Sequence, residues 1–253
     1  MKKIIIFTLI LLLTLTAAAI IPVSLAAAQA LTAEEIMNLR DDNEYIEAAY
    51  LEARLIIEDR RTMEKEMLSY IQKDRALVEF TNPQDRGTKY LLLDDELWMY
   101  FPAAEDLVRI SGHMMNQSMM GSDFSYQDMM ESDRLSDLYN FTLLGEEELA
   151  DRSAYLLEGK LKEGQEAAYF KRKTWIDSER FIALREELYA RNGQLLKLMT
   201  VNKVEEQPDG RWYPMEVIME DQLREDSRTI FQIKSLDFAV DFSADIFSLD
   251  SLQ

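Results

Sequence analysis

Beyond residue 45 the chain alternates apolar and polar side chains with a period near two, in one short run after another. Residues 50–57, 63–71, 76–80, 90–93 and 97–101 read as successive strands, each bounded by charged or turn residues. Asn82-Pro83 and Asp94-Asp95 mark two of the turns. A second series follows at residues 141–144, 154–161, 168–176, 181–189, 195–204, 212–219 and 229–238. Asn192-Gly193 and Asp209-Gly210 read as type I′ hairpin turns, in which both central residues take positive φ. About a dozen closely spaced strands without long helices predict a mainly β protein: one large antiparallel sheet curled into a barrel or half-barrel.

Two segments break the pattern. Thr32-Ala33-Glu34-Glu35 is a Thr-x-x-Glu capping box, and Ile36 and Leu39 supply the apolar positions of a short helix ending near Asp41. Residues 111–138 have no strand character and hold Met114, Met115, Met119, Met120, Met129 and Met130, six of the chain's 14 methionines. Within this segment Ser125-Tyr126-Gln127-Asp128 is placed to cap a helix over residues 126–132, and Gly121 allows a sharp entry.

At the N-terminus, Lys2 and Lys3 precede an apolar run and Ala28-Gln29-Ala30 closes it, the order of a secretory signal. Cleavage is expected near Ala30, which gives a signal peptide at residues 1–30, a single domain at residues 31–253 and a periplasmic product. With no cysteine, that product has neither a disulfide nor an acylated N-terminal cysteine, so its stability must come from its core. Losing Lys2 and Lys3 and no acid takes the formal charge from −19 to −21. Such a surface repels polyanions, which argues against nucleic acid and against docking on anionic headgroups.

No catalytic set is visible. His113 is the only histidine, no Gly-x-Ser-x-Gly elbow surrounds a serine, and the eight glycines make no phosphate cradle. With 47 acidic residues, adjacent pairs such as Asp94/Asp95 are expected without any function. Calcium lacks an alternating aspartate loop. The methionine segment admits three readings: thioethers that hold Cu(I) with His113, ordinary core packing, and an adaptable apolar lid over a cavity. The lid is preferred, and neither metal nor cofactor is expected.

Three runs carry a resemblance: Leu97-Trp98-Met99-Tyr100-Phe101-Pro102, then Val108-Arg109-Ile110-Ser111, then Ser118-Met119-Met120-Gly121-Ser122-Asp123-Phe124-Ser125-Tyr126-Gln127-Asp128. Tyr169-Phe170-Lys171, Trp175-Ile176-Asp177 and Trp212-Tyr213-Pro214 continue it. In these the chain resembles the outer-membrane lipoprotein-sorting protein family, the LolA-like proteins. It departs from the family at Val108, where a second basic residue is common, and at Met119, where an aromatic is usual.

The resemblance implies a half-open β-barrel closed by short helices and a lid loop. Its apolar interior would receive the acyl chains of lipoproteins or lipids and carry them towards the outer membrane, without enzymatic activity. The alternative it implies is a non-catalytic accessory subunit of an RND-type lipid exporter, and an inner-membrane transporter of RND or ABC type is the expected partner. Met114, Met115, Met119, Met120 and Phe124 are expected to supply the closing surface, with Trp98, Tyr100 and Phe101 on the wall beneath. Alternation sets Trp98 and Tyr100 against Leu97, Met99 and Phe101, and which face is interior stays open. Arg109, Gly121, Ser122 and Asp123 are expected to hold the motif together, Arg109 and Asp123 as an ion pair.

Overall fold

A computed structural model describes residues 30–130 and 134–252. The expected signal segment, residues 1–30, lies outside them except for Ala30. Helix α1 (Ala33–Glu44) opens on the predicted capping box: Thr32 Oγ1 accepts from the Glu35 N–H, and the Glu35 carboxylate accepts from the Thr32 N–H.

A first meander then runs through β1 (Ala48–Glu58), β2 (Thr62–Gln72), β3 (Arg75–Phe80), β4 (Lys89–Leu93), β5 (Glu96–Phe101) and β6 (Asp106–Ile110). The second runs through β7 (Tyr139–Leu149), β8 (Arg152–Leu161), β9 (Lys171–Asp177), β10 (Ala183–Tyr189), β11 (Leu195–Glu206), β12 (Trp212–Asp221) and β13 (Arg228–Asp237). Pairing of β1 with β13 joins the two into one antiparallel 13-stranded sheet, with β6 at one edge and β7 at the other. The sheet curls without closing. The chain between β6 and β7 must therefore pass from one edge of the sheet to the other, and it is this connection that holds the methionines.

The predicted strands are all present. Strand β6, which the alternation did not reveal, lies just before the segment read as a loop. In β1 the period of two is complete, with Ala49, Leu51, Ala53, Leu55 and Ile57 buried on one face. Asp94 and Asp95, at φ 53° and 60°, make the two-residue turn between β4 and β5, and Ala150 and Asp151, at φ 52° and 61°, make that between β7 and β8.

The two Xaa-Gly hairpins differ from expectation. Gly193 and Gly210 have positive φ, whereas Asn192 and Asp209 do not. The Gly193 N–H bonds Ala190 O and the Gly210 N–H bonds Gln207 O, so each loop is a turn followed by a left-handed glycine that restores the ladder.

The inner face of the sheet carries a core of Leu51, Leu55, Ile57, Met67, Phe80, Tyr90, Leu97, Met99 and neighbours. On the outer face of the first meander, Phe247 and Leu252 of the C-terminal segment cover Leu77 and Leu91, with Phe242 and Ile246 alongside. Helix α1 lays Ile36 and Met37 against Leu157, Ile176 and Ala183 of the second meander and against α3 (Leu135–Leu138).

Candidate functional site

The β6–β7 connection begins with a 3-10 turn at Gly112–Asn116, on which His113 is exposed, and a second at Met119–Gly121. Met120 and Gly121 are left-handed, at φ 52° and 83°, and the Ser122 N–H closes the turn on Met119 O at 2.9 Å. At Gly121 this conformation favours a residue without Cβ. Ser122 fastens the loop from within: its hydroxyl donates to Met119 O at 2.7 Å and accepts the Phe124 N–H at 3.2 Å. The turn drives Met119 inward until only 1% of it is exposed, while Met114, Met115, Met120 and Phe124 pack beside it on the inner-face core. Helix α2 (Tyr126–Met130) follows, capped as the sequence predicts: the Ser125 N–H donates to Asp128 and the Asp128 N–H to Ser125 Oγ. Its expected continuation through residues 131–132 lies outside the described residues.

Two buried carboxylates pin this lid to the second meander. Asp123 accepts the hydroxyls of Ser227 at 2.6 Å and Thr229 at 2.7 Å, while its own N–H donates to Thr229 Oγ1 at 2.8 Å. Arg224 approaches the same carboxylate at 3.5 Å. Asp128 accepts Tyr169 OH at 2.7 Å and Lys197 Nζ at 2.6 Å. The lid is thus covalently tied to the β6 edge and hydrogen-bonded to the start of β13 and to β11.

Beneath lid and α1 lies a cavity of about 430 Å³, walled by Ile71, Leu92, Phe124, Met199, Val201, Val217 and Phe231. Part of the wall is a ladder of direct cross-strand neighbours, Val201 to Val217 to Phe231, running over β11, β12 and β13. A more open hollow of about 760 Å³ adjoins it, and Tyr45 and Lys73 line both.

One side of the cavity is charged. Arg40 of α1 bonds Asp41 at 2.9 Å and Glu44 at 2.5 Å, and Asp41 in turn accepts the Ser136 N–H at 2.9 Å. From the sheet, the buried Arg172 meets Glu186 at 3.3 Å, and Thr174 donates to the same carboxylate at 3.0 Å. Burial pushes the Glu44 carboxyl above its ordinary value; Arg40 opposes this, and the Glu186 and Asp41 charges add to it.

A carboxyl raised in the folded state contributes stability that is complete below its unfolded value, about 4.3, and is lost as the pH rises through the folded value. The stability advantage of Glu44→Gln over wild type is therefore expected to grow from about pH 4.3 upward. Urea unfolding of both proteins from pH 4 to 8 measures this, and parallel profiles would contradict the assignment.

Met114, Met115, Met119, Met120 and Phe124 come together as the sequence reading grouped them. Trp98 and Tyr100 do not join them: Leu97 and Met99 hold the inner face of β5, and Trp98 and Tyr100 pack on the outer face beside the C-terminal segment. Phe101 ends β5 and is 38% exposed. The expected ion pair between Arg109 and Asp123 is corrected too. Arg109 is exposed and pairs with Glu96 on the neighbouring strand, while Asp123 is buried against β13. An exposed strand position and a buried loop carboxylate find separate partners. The sequence reading missed Arg40, Glu44, Arg172 and Glu186. The i, i+4 spacing of Arg40 and Glu44 was a signal, but one shared with any solvated helix face.

Residues 72–253 match the model of a family described as an uncharacterized protein. No curated protein matches the chain. Among solved structures, a DUF1329 family protein from Desulfovibrio piger is 29% identical with a TM-score of 0.79, over 87% of this chain and 98% of that one. A putative outer membrane lipoprotein-sorting protein domain from Vibrio parahaemolyticus is 24% identical with a TM-score of 0.76, over 87% and 97%. A LolA superfamily protein from Nitrosomonas europaea is 21% identical with a TM-score of 0.71, over 88% and 100%. The fold is LolA-like.

Proposed function

The chain belongs to the uncharacterized-protein family whose model spans residues 72–253, and from its LolA-like fold and its cavity we propose that it is a periplasmic carrier of acyl chains. Its cargo is a lipid or an acylated lipoprotein, and it performs no chemistry on it. The observation that carries this reading is the apolar cavity under a lid that joins the sheet's two edges. Similarity to a lipoprotein-sorting domain and to a LolA superfamily protein supports it.

Burying an acyl chain is worth about 0.8 kcal/mol per methylene, so a permanently open apolar trough would bind too tightly to deliver. In the closed protein Met114, Met115, Met119, Met120 and Phe124 occupy the inner-face core themselves. Of these Phe124 lines the cavity, so cargo entering there meets the lid at Phe124, whose repacking tunes net affinity while the chain stays out of water. Methionine suits the exchange because its unbranched thioether repacks against cargo or core. Trp98 and Tyr100, on the outer face, take no part, and Phe101 stands at the exposed end of β5.

The test is mass spectrometry of organic extracts from the protein purified from its native periplasm without detergent. Stoichiometric lipid or acylated peptide is the expected result. An empty protein that also takes up no acyl probe would overturn the carrier reading in favour of an accessory subunit of an exporter.

A further inference from the structure

The charge around the cavity runs against the charge of the chain. The sequence has 28 basic and 47 acidic residues, yet five basic side chains, Arg75 among them, line the cavity against three acidic ones. Arg172 is met by Glu186, and Arg134 by Asp42 outside the lining. Arg40 shares Asp41 and Glu44, but its Nε is buried and has no acceptor. Lys73, at the mouth where cavity and hollow meet, forms no ion pair among the described residues. Its position is fixed by the tight β2–β3 turn, in which its left-handed backbone donates to Glu47 O at 2.9 Å. Two carboxylates hold the Arg40 guanidinium in place at the cavity wall.

We propose that the cavity takes a single-chain amphiphile with an anionic head, carboxylate or phosphate, whose head is met by Arg40 and Lys73 and whose tail lies along Val217 and Phe231. The proposal rests on the carrier reading and narrows its substrate class. Size agrees with one chain: about 430 Å³ holds about 14 groups of water or methylene size at ~30 Å³ each, one acyl chain rather than three. The raised Glu44 carboxyl acts in the same direction, since each proton it keeps removes a negative charge from beside the head. Glu47, Asp209, Asp237 and Asp241 line the adjoining hollow with Lys73 and Arg211, so the excess of basic groups belongs to the cavity, where Arg40 stands, and not to the hollow.

The experiment is equilibrium binding of three ligands of equal chain length to the purified protein: myristic acid, monomyristoyl lysophosphatidic acid and the uncharged monomyristoylglycerol. Both anionic ligands are expected to bind about tenfold tighter than the glycerol ester, as a charge-assisted hydrogen bond would give. Lys73→Ala should remove most of that preference, Lys73→Arg should restore it, and neither should change affinity for the glycerol ester. Arg40→Gln should act in the same way, with binding of the glycerol ester reporting whether that variant is folded.

Equal affinity for all three ligands, or no effect of Lys73→Ala, would overturn the anionic head and leave the carrier intact. Inorganic phosphate displacing the lysophosphatidic acid at equal concentration would mark a free-anion site and overturn the amphiphile. Failure of all three ligands to bind would overturn the carrier reading itself.

Discussion

Asp123→Ala is expected to lower the unfolding free energy by about 3 kcal/mol and the melting temperature by roughly 6–12 °C. The side chain accepts two hydroxyls from residues that are themselves buried, Ser227 at 6% exposure and Thr229 at 0%. Removing it leaves those donors without their acceptor and Arg224 without one of its two carboxylates, the other being Asp59. A buried group stranded in this way costs about 1–3 kcal/mol, more than an average hydrogen bond returns. Asp123→Asn keeps the shape and one carbonyl acceptor, so it should lose about half as much. Arg109→Ala is the contrast: its pair with Glu96 is solvent-exposed and should contribute less than about 1 kcal/mol. The double variant should be additive, since the two residues share no partner. Urea and thermal unfolding at pH 7 measure all four. A wild-type melt for Asp123→Ala would mean that the lid is not fastened at Asp123.

The strand series was legible where a strand has one wet and one dry side, as in β1, where five alternate positions are buried. The lid was legible for the opposite reason: residues 111–138 are too methionine-rich to be solvent loop and too irregular for a strand. Strand β6 was not, because five residues at an edge, Asp106 to Ile110, give alternation too little length to show. Nor was the interior face of β5. Leu97 and Met99 are apolar because they face the inner core, and Trp98 and Tyr100 because Phe242, Phe247 and Leu252 fold back over them from more than 140 residues away. Local sequence cannot distinguish a strand wet on one side from one covered on both unless it foresees that return.

The charged side of the cavity was hidden by the same logic. Arg172 and Glu186 look like solvated strand positions, yet they sit 1% and 4% exposed on a face where Thr174 and Ile176 are also buried. Composition spoke against anionic ligands, and it speaks for the exterior. A lining of eight charged side chains is too small a share of 75 to alter the total, so the local reversal of sign became visible only once the sheet had curled.

Val217→Trp is expected to weaken binding of any acyl probe roughly a hundredfold while leaving the fold in place. Val217 is the middle rung of the Val201, Val217, Phe231 ladder and is only half-buried, because the cavity lies in front of it. An indole built there projects into empty space, so the overpacking cost should stay near the low end of ~1–3 kcal/mol. It takes the place of about four methylenes of the ligand at ~0.8 kcal/mol each, which is about 3 kcal/mol or two powers of ten in Kd. Leu223→Trp is the control, adding the same ring in the turn between β12 and β13, where Leu223 is 60% exposed. Probe titrations of the two variants separate the possibilities. Loss in Val217→Trp alone assigns acyl binding to the cavity. Wild-type affinity in both would show that the chains bind elsewhere, because an indole at Val217 must displace part of any chain that fills the cavity.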